Sequence, residues 1–150
     1  MNKKIEFTFK LRIDDIKVVR FSQSELTKSF ELDKFPLVEY QTNFDIRVNE
    51  TDEKIVSIVS VTITVIETAE IFAELIVETS FDVNPIKEVT TLKNDGKYDV
   101  NGLVLYNIAS VSLSTIRGIL YEKLKGSIIQ NEIYPLADLS KVFKKKEGKK

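Results

Sequence analysis

The sequence predicts an α+β protein, with a four-stranded antiparallel sheet and with a broken helix and a short C-terminal helix packed on one face. Three observations predict this class. Apolar and polar residues alternate with period two through much of the first half of the chain. The alternating segments from residue 37 onward are joined by short polar turns, which force consecutive strands to be antiparallel. Segments with helical spacing come only after the strands, an order typical of α+β folds.

The first predicted strand lies in "IEFTFKLRI", whose apolar residues from Ile5 to Ile13 are all odd-numbered. The apolar positions become even-numbered at Ile16 and Val18, so we expect a bulge or short break at Asp14-Asp15 in one long, bent strand. A connection over residues 20–36 follows, without a clean period but with scattered large apolar side chains. Long connections of this kind are often functional.

Three further strands are predicted in "LVEYQTNFDIRV", "KIVSIVSVTITVIE" and "EIFAELIVETSFDV". The second of these is apolar on both faces, so we expect it to be central in the sheet. In the last one, Ile71, Ala73 and Leu75 are expected on one face, with Glu74 and Glu78 on the other. A turn is expected afterwards at "NDG".

The helical layer is predicted in two pieces. The first spans about residues 103–108 and is interrupted by "SVSLST", whose hydroxyl groups compete for backbone hydrogen bonds. The second piece is expected to be capped by Ser112 or Ser114 and to end near Lys125. Gly126 is expected as the glycine that follows this helix.

One domain is expected over residues 1–143, because a chain of 150 residues suits a single core. Pro135 is expected to begin the short final helix, as proline does at a first helical position. Residues 144–150, "KKKEGKK", are expected to form a basic disordered tail. Without its five lysines and one glutamate, the body keeps 17 basic and 22 acidic residues, a net charge of −5 against −1 for the whole chain.

The composition excludes several kinds of chemistry. The chain has no cysteine and no histidine, which excludes disulfides and nucleophile pairs that depend on histidine, and it makes structural zinc unexpected. Its five glycines form neither a dinucleotide-binding fingerprint nor a phosphate loop. We therefore expect that the protein is not an enzyme and that it holds no metal and no cofactor.

The expected location is the cytoplasm. The N-terminal residues alternate polar and apolar, without the continuous apolar region of a secretory signal. No apolar run approaches 18 residues, so membrane insertion is not expected. The nearly balanced charge offers nothing that would attract a nucleic acid backbone.

The C-terminal third carries a resemblance in its order of elements. "LSTIRGILYEKLKGSIIQNEIYPLADLSKVF" is similar to a pattern in the SecB family of protein-export chaperones, in which a helix ends at a glycine and an extended apolar stretch leads to a proline and a final helix. Arg117 and Pro135 match the family's arginine and proline, and Gly126 lies near the position of its glycine. "AELIVETSFDV" resembles the family's fourth strand. The family's Phe-Pro-Tyr is replaced by Leu113-Ser114-Thr115, and its acidic tail by a lysine-rich one.

The resemblance implies an ATP-independent holding chaperone that binds unfolded polypeptides in exposed hydrophobic grooves. It implies a tetramer built as a dimer of dimers, with first strands and helices at the interfaces. It implies as partners either the SecA translocase motor or a dedicated client such as an antitoxin. The family's acidic contact for the motor maps to Glu74, with Phe72 as its apolar neighbour.

The candidate client-binding residues are the large apolar side chains near the connection and in the helical layer. They are Phe21, Phe30, Phe35, Leu37, Ile116, Leu120, Tyr121, Ile128 and Ile129. Each could instead be ordinary core. The alternative function is a carrier that holds a small apolar ligand in a pocket between sheet and helix. A plain adaptor protein with one flat patch is a third hypothesis.

Overall fold

The structure, a computed structural model, describes residues 9–26 and 36–129. Its main feature is a four-stranded antiparallel sheet in the order β1-β4-β3-β2. The strands are β1 (Lys10–Gln23), β2 (Val38–Asn49), β3 (Lys54–Val65) and β4 (Glu70–Asn84). β3 and β4 are therefore central, as predicted for β3, and β1 and β2 lie at the two edges.

Beyond the sheet the chain makes one helical turn, α1 (Ile86–Val89), a small hairpin of β5 (Thr90–Leu92) and β6 (Tyr98–Val100), and the long helix α2 (Gly102–Lys123). The α+β class and the four antiparallel strands agree with the prediction. The β5–β6 hairpin was not predicted, although its turn was. Within that turn the Asp95 carboxylate accepts a hydrogen bond from the Lys97 backbone N–H at 2.9 Å, and Gly96 takes a φ of 81°.

Helix α2 corrects the prediction of a broken helix, because it runs without interruption through "SVSLST". It begins after Asn101, whose side chain accepts hydrogen bonds from the Leu103 and Val104 backbone N–H groups. The hydroxyl groups of Thr115 and Ser112 are accommodated without a break in the helix. Thr115 donates to the Val111 carbonyl at 2.8 Å, and Ser112 points into the core.

Within residues 9–26 and 36–129 the strands contain three irregularities, of which one was predicted. β1 has an extra residue at Asp14, as the change of frame predicted, and a second at Val19. The third interrupts the β3–β4 pairing, where Ile63 faces Ala73 while Thr64 faces Ile71, so that Phe72 is the extra residue. The expected position of Ile71 is therefore wrong, because the bulge turns its side chain away from the core.

Two buried clusters lie between α2 and the sheet. We call the first the crossover-end cluster, since it lies where β1 ends and β2 begins; it includes Leu75, Ile116, Leu120 and Leu124. The second, the hairpin-end cluster, includes Phe81 and Ile108, among others. Between them a buried hydrogen bond joins the hydroxyl oxygens of Ser57 on β3 and Ser112 on α2 at 2.6 Å.

Several expectations fall outside the described residues. They are the first part of β1 at residues 5–8, the final helix that Pro135 would begin, and the basic tail at 144–150. By length and composition alone, α2 is long and apolar enough to cross a membrane. The core helix of a folded domain passes the same test, and α2 buries Val104, Ile108 and Leu120, among others, so its composition does not distinguish the two cases.

Candidate functional site

Among the described residues, helix α2 covers the middle of the sheet and leaves the central part of the edge strand β1 exposed. It packs on β3 and β4. On β1, the side chains of Ile13, Ile16 and Val18 pair with Phe81, Thr79 and Val77 of β4, which places them on the helix-facing side. They are nevertheless 40–44% exposed. We call these three residues the β1 stripe. Val19, the extra residue beside it, is 46% exposed.

A second apolar surface surrounds the crossover-end cluster. Its members are partly buried hydrophobic residues that pack against that cluster from β1, the connection, β2, α2 and the turn after α2. We call it the crossover rim; it comprises Phe21, Leu26, Val38, Ile119 and Ile128. The Lys123 ammonium lies 5.6 Å from the centre of the Phe21 ring, at a cation–π distance that joins β1 to α2.

The opposite side of the same end carries a third group, the outer patch, formed by Leu37, Ile66 and Ile71. The Ile66 N–H donates to the Leu37 carbonyl at 3.0 Å, and Ile71 pairs with Thr64, two residues before Ile66. Their side chains therefore share the face away from α2. Leu37 is 77% exposed.

The structure separates the predicted client-binding residues into four groups. Phe21 and Ile128 are in the crossover rim, and Leu37 and Tyr121 are exposed on other faces. Phe30 and Phe35 lie outside the described residues. The remaining three, Ile116, Leu120 and Ile129, are buried in the core at 0–1% exposure.

The reason for this burial is the spacing along α2. The buried residues Leu113, Ile116 and Leu120 recur at intervals of three and four residues, so they form the helix face that rests on the sheet. The same spacing that identified Ile116 and Leu120 as large apolar residues of a helix therefore marks them as core. They are not available to a client on the surface of this subunit.

The two residues assigned to the motor contact are also constrained. Phe72 is the bulge residue and is only 4% exposed. Glu74 lies on the outer face, where its carboxylate is 3.7 Å from the Arg20 guanidinium. The acidic group is therefore already next to a cation of β1.

Further along the outer face, charges of both signs alternate between β1, β3 and β4. Arg12 donates to the Asp82 carboxylate at 2.7 Å, and the Lys54 ammonium contacts both Asp14 and Asp82. The hydrogen bond from Arg12 holds the pKa of the Asp82 carboxyl below its usual range, and Asp14 raises the pKa of Lys54. This face of the sheet is mixed in charge rather than acidic.

A cleft opens at the hairpin end of the molecule. It has a volume of about 1010 Å³ and lies between the end of β2, the β5–β6 hairpin and the start of α2. The Tyr98 hydroxyl donates to the Glu50 carboxylate at 3.1 Å and ties the hairpin to the β2–β3 turn; this bond raises the pKa of the phenol. The layer between sheet and helix, where a carrier would hold its ligand, is occupied by the two buried clusters.

The β1 stripe and the residues Leu26, Val38 and Ile119 of the crossover rim were not among the predicted site residues. Alternation identified the helix-facing sides of β1 and β2, while Leu26 was one of the scattered apolar residues of the connection and Ile119 one of the apolar residues with helical spacing. It could not show which strands the helix covers, because coverage depends on strand order and on where α2 crosses the sheet.

Comparisons with known proteins identify the fold. No protein-family model matches the chain, and no curated protein matches its sequence. Among solved structures, the SecB-like chaperone Rv1957 of Mycobacterium tuberculosis, in complex with a ChAD peptide from the antitoxin HigA1, matches with a TM-score of 0.60 and 12% identity. The match covers 85% of this chain and 90% of that one.

A protein of unknown function from Streptococcus agalactiae also matches, at a TM-score of 0.39 and 11% identity over 88% of this chain and 99% of that one. A score this low carries no argument. The match to Rv1957 shows that the chain has a SecB-like fold, in agreement with the resemblance in the sequence.

Proposed function

We propose that this protein is an ATP-independent holding chaperone that binds non-native polypeptides. The observation that carries the proposal is the apolar surface left bare beside α2, above all the β1 stripe at 40–44% exposure. Contiguous exposed apolar surface on a folded chain is typical of a site that binds another molecule. The SecB-like fold supports this function, because the structural neighbour is itself described as a chaperone.

The physical basis is the burial of apolar side chains. An unfolded polypeptide exposes such side chains, and each square ångström removed from water contributes about 25 cal/mol. The β1 stripe, the crossover rim and the outer patch are separate small surfaces, so each would bind weakly. Linked sites of this kind add through multivalency, which suits clients that share no single shape. The sequence has no phosphate loop, so no nucleotide is needed in this scheme.

A dedicated client, such as an antitoxin, is favoured over delivery to the SecA motor. The structural neighbour is described in complex with a peptide from an antitoxin. The residues assigned to the motor contact offer less support, since Phe72 is buried and Glu74 is beside Arg20. Clients would be met in the cytoplasm. A carrier of small apolar ligands stays the alternative function.

A homo-oligomer, formed as a tetramer from two dimers, is part of the proposal. In the described residues β1 has a strand neighbour on one side only, and exposed strand edges invite pairing with another chain. On the outer side of α2, Ser110, Ser114 and Gly118 recur every four residues, next to Tyr121. A Cβ added at Gly118 meets nothing within 4 Å, so no contact in the subunit itself requires glycine there.

The function is tested by an aggregation assay without nucleotide. A chemically unfolded client is diluted into buffer with and without the protein, and light scattering is followed. The account predicts suppression near equimolar ratio, unchanged by added ATP. The double variant F21S/I119S, which removes two apolar side chains of the crossover rim, is expected to lose most of the suppression. E39S, on the exposed outer face of β2, is the matched control. A protein that suppresses nothing would leave the carrier as the better hypothesis.

The assembly is tested by molar mass from light scattering after size exclusion. The wild type is expected at the mass of four chains. Gly118→Ala is expected to keep that mass and to strengthen α2 by about 1 kcal/mol. Gly118→Trp is expected to lower the mass, because a large side chain would block close approach of a second helix. A wild-type monomer would contradict the proposed assembly.

A further inference from the structure

We propose that the cleft at the hairpin end docks an extended polypeptide segment with an acidic side chain, which pairs as an additional strand with the edge of β2 that has no strand neighbour among the described residues. This site is at the opposite end of α2 from the crossover rim. It therefore adds a local, charge-selective contact to the apolar surfaces described above, and its test does not depend on them.

The first support is the direction of the β2 backbone. The Ile66 N–H donates to the carbonyl of Leu37, so the odd-numbered residues of this strand direct their backbone groups towards β3. Backbone direction alternates along an antiparallel strand, which leaves the even-numbered residues Ile46 and Val48 directed towards the free edge. In agreement, the Ile46 N–H donates to the adjacent Asp45 carboxylate at 2.9 Å instead of to β3.

The second support is the charge of the cleft. Its lining includes three cations, Arg47, Lys93 and Lys97, and two carboxylates, Asp45 and Asp99. Lys93 is 3.6 Å from Asp99, and Asp45 is engaged by the Ile46 N–H. Within residues 9–26 and 36–129, Arg47 and Lys97 have no carboxylate within ion-pair distance. The ionisable side chains of the lining therefore carry a net charge of +1, and its two cations outside ion-pair distance favour a ligand with negative charge.

The third support is the apolar floor. Ile46, Val48 and Val100 are partly buried and pack on the hairpin-end cluster, in the same cleft as the two cations. An extended peptide satisfies all three features at once. Its backbone pairs with the β2 edge, one side chain covers the floor, and an alternate position carries the carboxylate. A nucleic acid would satisfy only the charge.

The binding test uses capped, fluorescein-labelled heptapeptides that alternate valine and threonine, with glutamate, glutamine or lysine at the centre. Fluorescence anisotropy with the full chain is expected to show about fivefold tighter binding of the glutamate peptide than of the glutamine peptide, and the weakest binding for lysine. The preference is expected to shrink in 0.5 M salt. Equal affinity for the three peptides would overturn the proposal, and so would a 12-nucleotide oligothymidylate that competes as well as the glutamate peptide.

The strand pairing is tested by N-methylation of the glutamate peptide. A strand directs the N–H groups of alternate residues to one neighbour, so methylation of one alternate set is expected to abolish binding and methylation of the other set to leave it intact. If methylation of either set abolishes binding, or if methylation of neither set does, the peptide does not add as a strand to the β2 edge.

The location is tested by variants. The double variant R47Q/K97Q is expected to lose the preference for glutamate over glutamine, and D45N is expected to strengthen binding of the glutamate peptide. Lys125→Gln, which removes an exposed lysine paired with Glu122 at the far end of α2, is the matched control and is expected to change nothing. Suppression of aggregation is expected to survive R47Q/K97Q. A preference that persists in R47Q/K97Q would place the site elsewhere and refute the proposal, whatever the outcome of the aggregation assay.

Discussion

Strands β1 and β3 both have an apolar face on the side of α2, yet this face is buried on β3 and exposed on β1. Every helix-facing side chain of β3 is at most 1% exposed, whereas Ile13, Ile16 and Val18 of β1 are 40–44% exposed. The difference is one of position, because β3 is central and β1 is at the edge of a sheet that is wider than one helix. The centre of this sheet buries its apolar face, and the described part of its edge keeps apolar surface exposed.

The largest effect that would test this comparison is on stability. Leu75→Ala in β4, at a fully buried position, is expected to lower the free energy of unfolding by about 3 kcal/mol. Ile16→Ala in the β1 stripe is expected to lower it by about 1 kcal/mol or less, since the side chain is already half in water. Urea unfolding followed by circular dichroism measures both. Equal losses would mean that β1 is covered in solution.

The second effect concerns the polar contact inside the central layer. Ser112→Ala is expected to cost about 1–3 kcal/mol, because it leaves the buried Ser57 hydroxyl without its partner. The double variant S57A/S112A is expected to recover most of that loss, since no polar group is then left unpaired. The free energies of unfolding of S57A, S112A and the double variant give the coupling free energy between the two hydroxyl groups. Additive losses would show that the hydroxyl pair does not join β3 to α2.

The smallest effect concerns how β1 is held on its outer face. Arg12 lowers the pKa of Asp82 in the folded state, so the stability from this carboxylate is complete above its unfolded pKa of about 3.9 and is lost as the pH falls through the lower folded value. The stability of Asp82→Asn is therefore expected to fall less steeply than that of the wild type as the pH drops below about 4, and between pH 5 and 7 the variant is expected to be less stable by a constant amount. Urea midpoints across this range measure it. Identical slopes would contradict the assignment.

The sequence predicted the strands because their faces are regular. Alternation correctly placed β2 and β3, and the change of frame at Asp14 correctly predicted a bulge. It did not predict the bulge at Phe72, because Ile71, Phe72 and Ala73 are all apolar and fit either frame. When consecutive residues of a strand are all apolar, each of them fits the core-facing side, and the sequence does not show which one is the extra residue of the bulge.

The helix was predicted less well for a different reason. The serines and the threonine of "SVSLST" weaken a helix on its own, but Ser112 has a partner on β3 that only the tertiary structure supplies. The exposure of the β1 stripe and the burial of Ile116 likewise depend on how α2 packs on the sheet. The candidate site was therefore predicted as a kind of surface, while its residues could be identified only after the strand order was known.

The most direct test of the account is site-specific photo-crosslinking to an unfolded client. The photoreactive residue p-benzoylphenylalanine is placed at Ile16, in the β1 stripe, or at Lys17, which faces the other side of the same strand opposite Glu78. The account predicts client crosslinks from position 16 and few or none from position 17. Crosslinks from position 16 that join only copies of this chain, or equal client crosslinks from both positions, would contradict it.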